Sequence, residues 1–230
     1  MKPDEIYSIL KGINADVLYH ANTVPAGCSF LEQGGLLSRA YVENNGLTQT
    51  PQTSDANDKK YGIWDRIFLD HVDIHYRGGA KRGPNHYGPV LFLLGLDVLL
   101  GLSTKTNILV TKRNPMHWKD GQSDADRWYL TAKELSQDLS FGDFDKMLVI
   151  ETLASKLDFP GKKVRILLDN PQRKLASGVD AYAHAEKRLK AAAAKGAVTI
   201  SIEPHGCRGD CICVDRYAKC DSSFFDSRYE

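Results

Sequence analysis

The run of residues 90–100, VLFLLGLDVLL, is the most apolar stretch of the chain and restricts the folds that it can adopt. It is too short to cross a bilayer, because a membrane-spanning helix needs about 20 apolar residues. The run therefore predicts a segment in the interior of a globular protein. Its first half predicts a buried strand, and its second half predicts either a short helix or a continuation of the sheet, since periodicity alone does not separate the two.

Shorter apolar segments before and after this run predict further regular elements. Strands are predicted around His20 and at residues 108–111, 144–152, 164–169 and 198–202, and helices at residues 4–13, 26–33, 131–139 and 180–195. Strands and helices do not alternate as βαβ units, and no glycine-rich dinucleotide fingerprint follows a strand. The pattern predicts the α+β class, so that any bound NAD would not be held by a Rossmann domain.

The composition permits one large domain, or one domain with a small appendage. The chain has 230 residues, of which 42% are apolar, and a formal net charge of +1. This apolar fraction is sufficient for a hydrophobic core, and the charge gives no global electrostatic case for binding nucleic acid. The first residues carry no apolar signal-peptide segment. We expect a cytoplasmic protein that does not associate with membranes.

Two polar segments are candidate binding loops. Residues 41–60 are rich in Asn, Thr, Gln and Asp, which is typical of a lid, a binding loop, a mobile segment or plain disorder. Residues 76–89, YRGGAKRGPNHYGP, combine basic side chains with tyrosines. This combination suits phosphates and stacked bases, and it also suits a solvated basic loop.

A histidine at the end of a short strand opens the most informative motif, LYHANTVPAGCSFLEQGGLLSR at residues 18–39. A turn and a helix closed by a glycine pair follow His20. This motif resembles the opening of the ADP-ribosyltransferase fold, most closely that of the DarT-type enzymes, which modify nucleic-acid bases with NAD. Tyr87-Gly88-Pro89 and the segment RNPMHW at residues 113–118 recur in the order found in those enzymes. Asn114 and the leucine-rich run before it depart from the family pattern.

The resemblance implies a fold, a reaction and a set of site residues. The fold would be a split mixed or antiparallel sheet with peripheral helices. The reaction would transfer ADP-ribose from NAD to DNA or RNA, in a toxin or phage-defence system, with an antitoxin or regulatory protein as a further partner. A carboxylate would stabilise the positive charge that develops on the ribose. Glu151, directly after a buried strand, is the candidate, and His20 would hold the NAD in register. The candidate NAD-binding residues are His20, Asn22, Thr23, Arg39, Arg66, Tyr87 and Arg113, with Tyr61 as the alternative to Tyr87.

The last part of the chain carries a separate chemical signal. His205, Cys207, Cys211 and Cys213 lie within nine residues, and Cys220 is a reserve thiol. Three thiols and one imidazole satisfy tetrahedral zinc, which would be structural here. Iron–sulfur ligation and metal-free reduced cysteines remain open. We therefore expect an ADP-ribosyltransferase-like domain at residues 1–203 and a Cys/His-rich tail at residues 204–230 packed on it.

Two other functions fit parts of the sequence. The first is a non-catalytic, metal-stabilised nucleic-acid-binding module that uses the basic aromatic loop and the cysteine tail. The second is a metal-dependent nuclease or hydrolase built on His71, Asp73 and His75 with Asp70, because side chains two residues apart share one side of a strand. NAD consumption, binding without turnover and chelator sensitivity would distinguish the three functions.

Overall fold

The chain was analysed as a computed structural model that describes residues 1–73, 87–143, 145–152, 154–206 and 213–230. The helices in these ranges are α1 (Pro3–Gly12), α2 (Val24–Gln33), α3 (Arg39–Asn44), α4 (Asp55–Lys60), α5 (Asp124–Arg127), α6 (Ala132–Asp138), α7 (Ala181–Lys195), α8 (Cys213–Lys219) and α9 (Ser222–Tyr229). The strands are β1 (Val17–Asn22), β2 (Gly35–Leu37), β3 (Ile67–Leu69), β4 (Val90–Gly95), β5 (Asn107–Val110), β6 (Leu148–Glu151), β7 (Lys156–Asp158), β8 (Lys163–Leu168) and β9 (Thr199–Pro204). Helices and mixed sheets together confirm the α+β prediction.

The largest sheet has the order β1-β4-β8-β9. The apolar run supplies its second strand, β4, and then turns into a 3₁₀ helix at Leu96–Gly101. The predicted strand in the first half of the run is therefore confirmed, and of the two alternatives for the second half the short helix is the one that forms. Both neighbours of β4 are antiparallel to it, and its residues Val90, Leu91 and Phe92 are buried. Burial on both faces explains why β4 is continuously apolar rather than alternating.

The far edge of this sheet corrects one prediction. Strands β8 and β9 are parallel and are joined through α7, so they form a single βαβ unit. The prediction that no such unit is present was wrong at this place. Both strands alternate between more and less exposed residues. This alternation is the pattern of antiparallel strands with one solvated face. The parallel connection between β8 and β9 could therefore not be recognised from the sequence pattern.

A three-stranded sheet with the order β3-β6-β5 lies next to the first sheet. Tyr19 of β1 and Asp70 directly after β3 exchange two backbone hydrogen bonds, N to O at 2.8 and 2.9 Å. These two bonds fix the end of β3 beside the middle of β1. The two sheets therefore meet at the strand that carries His20. A short pair of strands, β2 and β7, completes the β-structure of the described ranges.

The hydrophobic core fills the space between the large sheet and helices α2 and α7. Phe92 is fully buried, and its ring centroid lies 5.9 Å from that of Phe30 and 5.8 Å from that of Phe159. Helix α2 ends at Gly34, which has a φ of 73°. This left-handed conformation is the cap predicted for the glycine pair. Phe30 of the motif at residues 18–39 therefore packs in this core.

The segment predicted as one polar loop, residues 41–60, contains regular structure at both ends. Helix α3 is capped by the side chain of Ser38, which accepts a hydrogen bond from the Tyr41 amide at 3.0 Å. Helix α4 occupies the last six residues of the segment. Helices of six residues are shorter than the window of about 11–18 residues in which an apolar period is recognised, so the pattern did not indicate them. The irregular part is residues 45–54.

The last helices pack on the body of the protein. Phe225 and Tyr229 of α9 are buried, and α9 contacts α2 and α7. Arg173 donates hydrogen bonds to the carbonyls of Tyr217 and Cys220 at 2.6 and 2.9 Å and so secures the end of α8. In the described ranges, none of the helices is both long and apolar enough to span a membrane.

Candidate functional site

A cavity opens where the two sheets meet. Its walls come from β1, the segment between α3 and α4, β3, and the turns before β4 and after β5. The residues that line it include Ala21, Leu37, Gln52, Ser54, Asp58, Ile63, Phe68, Asp70, Asn114, Pro115, Met116 and Met147, together with the predicted NAD-binding residues His20, Asn22, Arg39, Arg66 and Tyr87.

His20 is held in one orientation and one charge state. Its Nδ1 lies 2.8 Å from the carbonyl oxygen of Phe68 and donates a hydrogen bond to it, and its ring lies 5.5 Å from that of Phe30. Burial lowers the pKa of His20, and the Phe68 carbonyl opposes this effect only in part. The ring is therefore neutral near pH 7, and Nε2 carries the lone pair. This buried nitrogen has no hydrogen-bond partner within the described part of the chain, so it is available to accept a hydrogen bond from a ligand.

The two polar residues after His20 have different roles. Asn22 lines the cavity, and its Oδ1 accepts a hydrogen bond from the Thr23 amide at 2.9 Å. Thr23 is fully buried, caps α2 by accepting from the Ala26 amide, and is hydrogen-bonded to the Thr50 hydroxyl at 2.8 Å. Thr23 is not among the lining residues. Its place in the structure is a helix cap that also anchors the neighbouring segment.

Arg39 ties the segment at residues 45–54 to the cavity. Its guanidinium donates to the Thr50 carbonyl at 3.1 Å, forms an ion pair with Asp55, and lies 5.3 Å from the ring centroid of Trp64. Gln52 and Ser54, from the segment that Arg39 holds, line the cavity. Arg39 therefore lines the site and also positions one of its walls.

Arg66 and Glu151 form an ion pair at one end of the cavity. The Nη1 atom of Arg66 pairs with Oε1 of Glu151, while the Asn107 amide donates to Oε2 at 2.6 Å. Both side chains are partly buried, at 22% and 32% exposure. Arg66 lines the cavity, whereas Glu151 is not among the lining residues. In this arrangement both carboxylate oxygens of Glu151 already have partners.

Three acidic groups in the cavity have raised pKa values because they are buried. Burial raises the pKa of Asp70 to about 8. It raises the pKa of Asp58 to about 6 against the effect of a hydrogen bond from Ser54, and that of Tyr87 to about 12 against a hydrogen bond with Asn114. The Oδ1 atom of Asp70 is buried and accepts no hydrogen bond from the described residues. At pH 7 the cavity thus holds a protonated carboxyl group close to a neutral imidazole.

Two of the predicted NAD-binding positions lie elsewhere. Arg113 is exposed and does not line the cavity, whereas its neighbours Asn114, Pro115 and Met116 do. Tyr61, the alternative to Tyr87, donates to the Trp118 carbonyl at 3.0 Å and packs edge-on against the ring of Trp118. Tyr87 is therefore the tyrosine that lines the site.

His205, a predicted zinc ligand, lies in a buried ion-pair network. Its Nε2 is 2.6 Å from Oδ2 of Asp73, and its Nδ1 is 2.9 Å from Oδ1 of Asp169. The Tyr217 hydroxyl donates to Asp169 at 2.7 Å. Burial acts to lower the pKa of His205, but the two carboxylates outweigh it and raise the pKa to about 9. Both ring nitrogens are therefore occupied by carboxylates in this arrangement.

The other predicted metal ligands are only partly within the described residues. Cys213 is buried at the start of α8, and Cys220 lies within hydrogen-bond reach of Arg173 at 3.4 Å. Cys207 and Cys211 lie outside the described residues. The described ranges contain no group of three or more His, Cys, Asp and Glu side chains arranged to hold a metal ion.

The described residues of the alternative nuclease site interact with different partners. His71 is buried with Nε2 3.4 Å from the Ser140 carbonyl, whereas Asp73 pairs with His205. Residues 71–73 form a bend and not a strand, so the expected sharing of one strand face does not occur there. His75 and most of the basic aromatic loop at residues 76–89 lie outside the described residues.

Asp70 is the main cavity residue that we had not assigned to NAD binding from the sequence. Arg66, Phe68 and Asp70 occupy alternate positions along β3 and its ends, and all three line the cavity. This period of two places side chains on one face of a strand, and it is visible in the sequence. The contributions of Gln52, Ser54 and Asp58 had no comparable signal, because they depend on the path of an irregular segment.

Neither a scan against protein-family models nor a search of curated proteins gave a match for this chain.

Proposed function

We propose that the protein is an ADP-ribosyltransferase that transfers ADP-ribose from NAD to a nucleic acid, built on an ADP-ribosyltransferase-like split sheet. One observation carries the proposal. Five residues that the family resemblance assigned to NAD binding, taken from separate parts of the chain, line one cavity: His20, Asn22, Arg39, Arg66 and Tyr87.

The donor groups of the cavity suit a dinucleotide. The Nε2 atom of His20 is a buried acceptor for a ribose hydroxyl. Arg39 and Arg66 bring guanidinium groups, which match phosphate oxygens in a bidentate manner. Phe68, Ile63 and Met116 supply apolar surface for the rings. A few convergent polar groups in a largely apolar cavity are typical of a cofactor site.

The bond between ribose and nicotinamide in NAD breaks, and its electron pair leaves with nicotinamide. An atom of the acceptor then bonds to the ribose carbon, and the acceptor loses a proton to water. In this proposal the residues around the cavity hold the two riboses of NAD, and a carboxylate stabilises the positive charge that develops on the reacting ribose. We assign the charge stabilisation to Glu151, which the Asn107 amide and the Arg66 guanidinium hold rigidly at the end of β6.

A nucleic-acid acceptor is supported by a cation and an aromatic ring that are sequence neighbours of residues lining the cavity. Helix α4, whose Asp58 lines the cavity, also carries Lys59, and its Nζ lies 4.4 Å from the ring centroid of Trp64. Basic groups interleaved with aromatic rings can bind a phosphate backbone and stack on bases. The role in a toxin or defence system, the antitoxin and the structural zinc remain predictions.

Label transfer from NAD tests the function directly. The wild type and Glu151→Gln would be incubated with labelled NAD and with single-stranded DNA, duplex DNA, RNA or mixed protein as acceptor. We expect transfer to a nucleic acid by the wild type and a loss of at least about 100-fold in Glu151→Gln, which is the scale for removing one electrostatic group from a site. Glu203→Gln is the matched control, because Glu203 is also a strand carboxylate paired with an arginine but lies away from the cavity. No NAD loss from folded wild type, or equal activity in Glu151→Gln, would overturn the proposal.

A further inference from the structure

Strand β3 and its ends form one wall of the cavity and set the order of the groups along that wall. Arg66, Phe68 and Asp70 line the same wall. Because a strand rises about 3.3 Å per residue, the backbone positions of Arg66 and Asp70 are about 13 Å apart. Glu151 pairs with Arg66 at one end. Asp70 lies at the other end, beside the strand that carries His20.

Asp70 is rigidly placed but incompletely bonded. Its backbone exchanges two hydrogen bonds with Tyr19, at 2.8 and 2.9 Å. Its Oδ1 is buried and has no hydrogen-bond partner among the residues that the structure describes. Leaving a buried acceptor unpaired costs free energy, and such groups in folded proteins need an explanation. A ligand that fills the cavity would supply the absent partner.

The form of the carboxyl group defines the ligand chemistry. Its raised pKa means that Asp70 is mostly protonated at pH 7 and presents one hydroxyl donor and one carbonyl acceptor. The Watson–Crick edge of adenine presents the complementary pair, an amino donor and the N1 acceptor. Phe68, the next residue on the same face, offers a ring beside it.

We propose that Asp70 is the residue that binds the adenine ring of NAD, through two hydrogen bonds to its amino group and N1. This inference rests on the proposed function. It follows from the order along β3: if the nicotinamide ribose lies at the Arg66–Glu151 end, the adenosine half extends toward Asp70, and His20 beside Asp70 accepts from the adenosine ribose. The nicotinamide carboxamide has a similar donor and acceptor pair, but it belongs to the opposite end of the cavity.

Binding of three probes to two variants tests this assignment. Calorimetry would measure NAD, ADP-ribose and nicotinamide mononucleotide with the wild type, Asp70→Leu and Asp70→Asn. We expect Asp70→Leu to weaken NAD and ADP-ribose about 10- to 100-fold, the scale of two neutral hydrogen bonds, and to leave nicotinamide mononucleotide unchanged. Asp70→Asn retains a donor and an acceptor, so it should bind within about threefold of the wild type.

The pH dependence gives a second readout. Wild-type affinity for ADP-ribose should fall between pH 7 and 9 as the donor is lost, while Asp70→Asn should stay flat. The other charged or titratable groups that line the described cavity are His20, Arg39, Asp58, Arg66 and Tyr87. All of them are retained in both proteins, so the comparison isolates Asp70.

The outcomes separate this inference from the proposed function. Wild type that binds none of the probes would overturn both. Two results would overturn only the adenine assignment, provided that the wild type binds NAD. In the first, Asp70→Leu binds ADP-ribose as tightly as the wild type does. In the second, Asp70→Leu loses affinity for nicotinamide mononucleotide to the same extent as for ADP-ribose. Far-UV circular dichroism of each variant confirms the fold, and Asp158→Asn, at an exposed carboxylate, is the control for a charge change alone.

Discussion

Replacing Asp70 by Asn should stabilise the protein at neutral and alkaline pH. A pKa unit corresponds to about 1.4 kcal/mol. Keeping this carboxyl group protonated at pH 7, about three units above its ordinary pKa, therefore costs roughly 4 kcal/mol relative to the unfolded chain. The asparagine amide has no protonation cost, but it leaves a buried polar group with an unfilled hydrogen bond, at about 1–3 kcal/mol. We expect Asp70→Asn to be more stable than the wild type by about 1–3 kcal/mol at pH 7, and by about 1 kcal/mol more at pH 8.

The sign of the pH dependence follows from the direction of the pKa shift. Because the folded-state pKa of Asp70 is raised to about 8 from 3.8, the folded state binds more protons than the unfolded state between these values. The contribution of Asp70 to stability is therefore fully present below pH 4 and is lost as the pH rises to 8. The advantage of Asp70→Asn should shrink to about zero near pH 5.

Urea and thermal unfolding between pH 5 and 9 measure this difference. For a chain of this size, 1 kcal/mol corresponds to about 2–4 °C in Tm, so a rise of roughly 3–10 °C is expected at pH 7. Asp158→Asn provides the baseline for an exposed carboxylate, which is 80% accessible. A variant with unchanged Tm at pH 8 and the same pH slope as the wild type would show that Asp70 is not desolvated, and the reasoning would fail.

Two further predictions concern the framework around the cavity. Asp169→Asn should destabilise the protein by about 3–5 kcal/mol in urea unfolding, because it removes one of the two buried carboxylates of His205 and leaves a single acceptor oxygen for His205 and Tyr217. A loss below about 1 kcal/mol would show that the network is not held as described. Gly88→Ala should lower both the unfolding free energy and NAD affinity, because Gly88 has a φ of 141° and an added Cβ would collide with the Asn22 backbone; unchanged binding would show that this wall of the cavity yields easily.

The sequence predicted those parts of the fold that are determined locally. The apolar run at residues 90–100 placed β4 because burial on both faces leaves a continuous apolar pattern. The glycine pair placed the end of α2, since Gly34 adopts the left-handed conformation of a helix cap. His20 was likewise placed at a strand that borders the cavity. In each case the physical cause of the local structure lies in a few residues that are neighbours in the sequence.

The parts that could not be predicted depend on pairs far apart in the chain. Glu151 was recognised as a carboxylate at a strand end, but nothing near it indicated that Arg66 and Asn107 bind its two oxygens. His205 fitted a zinc pattern by spacing, yet its ring nitrogens bind Asp73 and Asp169, which lie 132 and 36 residues away in the sequence. Spacing reports on local geometry, whereas these contacts arise only when the two sheets come together.

Two sets of buried polar groups, the network around His205 and the cavity pair His20 and Asp70, contribute differently to the stability of this fold. Around His205 each ring nitrogen has a carboxylate partner, and that network joins the end of β9 to residues 71–73 and α8. At the cavity, the His20 Nε2 and Asp70 Oδ1 atoms are buried without partners among the described residues. Natural proteins commonly accept such local losses at sites that bind ligands. If Asp70→Asn gains stability while Asp70→Leu loses affinity for ADP-ribose, the unpaired carboxyl is the cost of a prepared binding site.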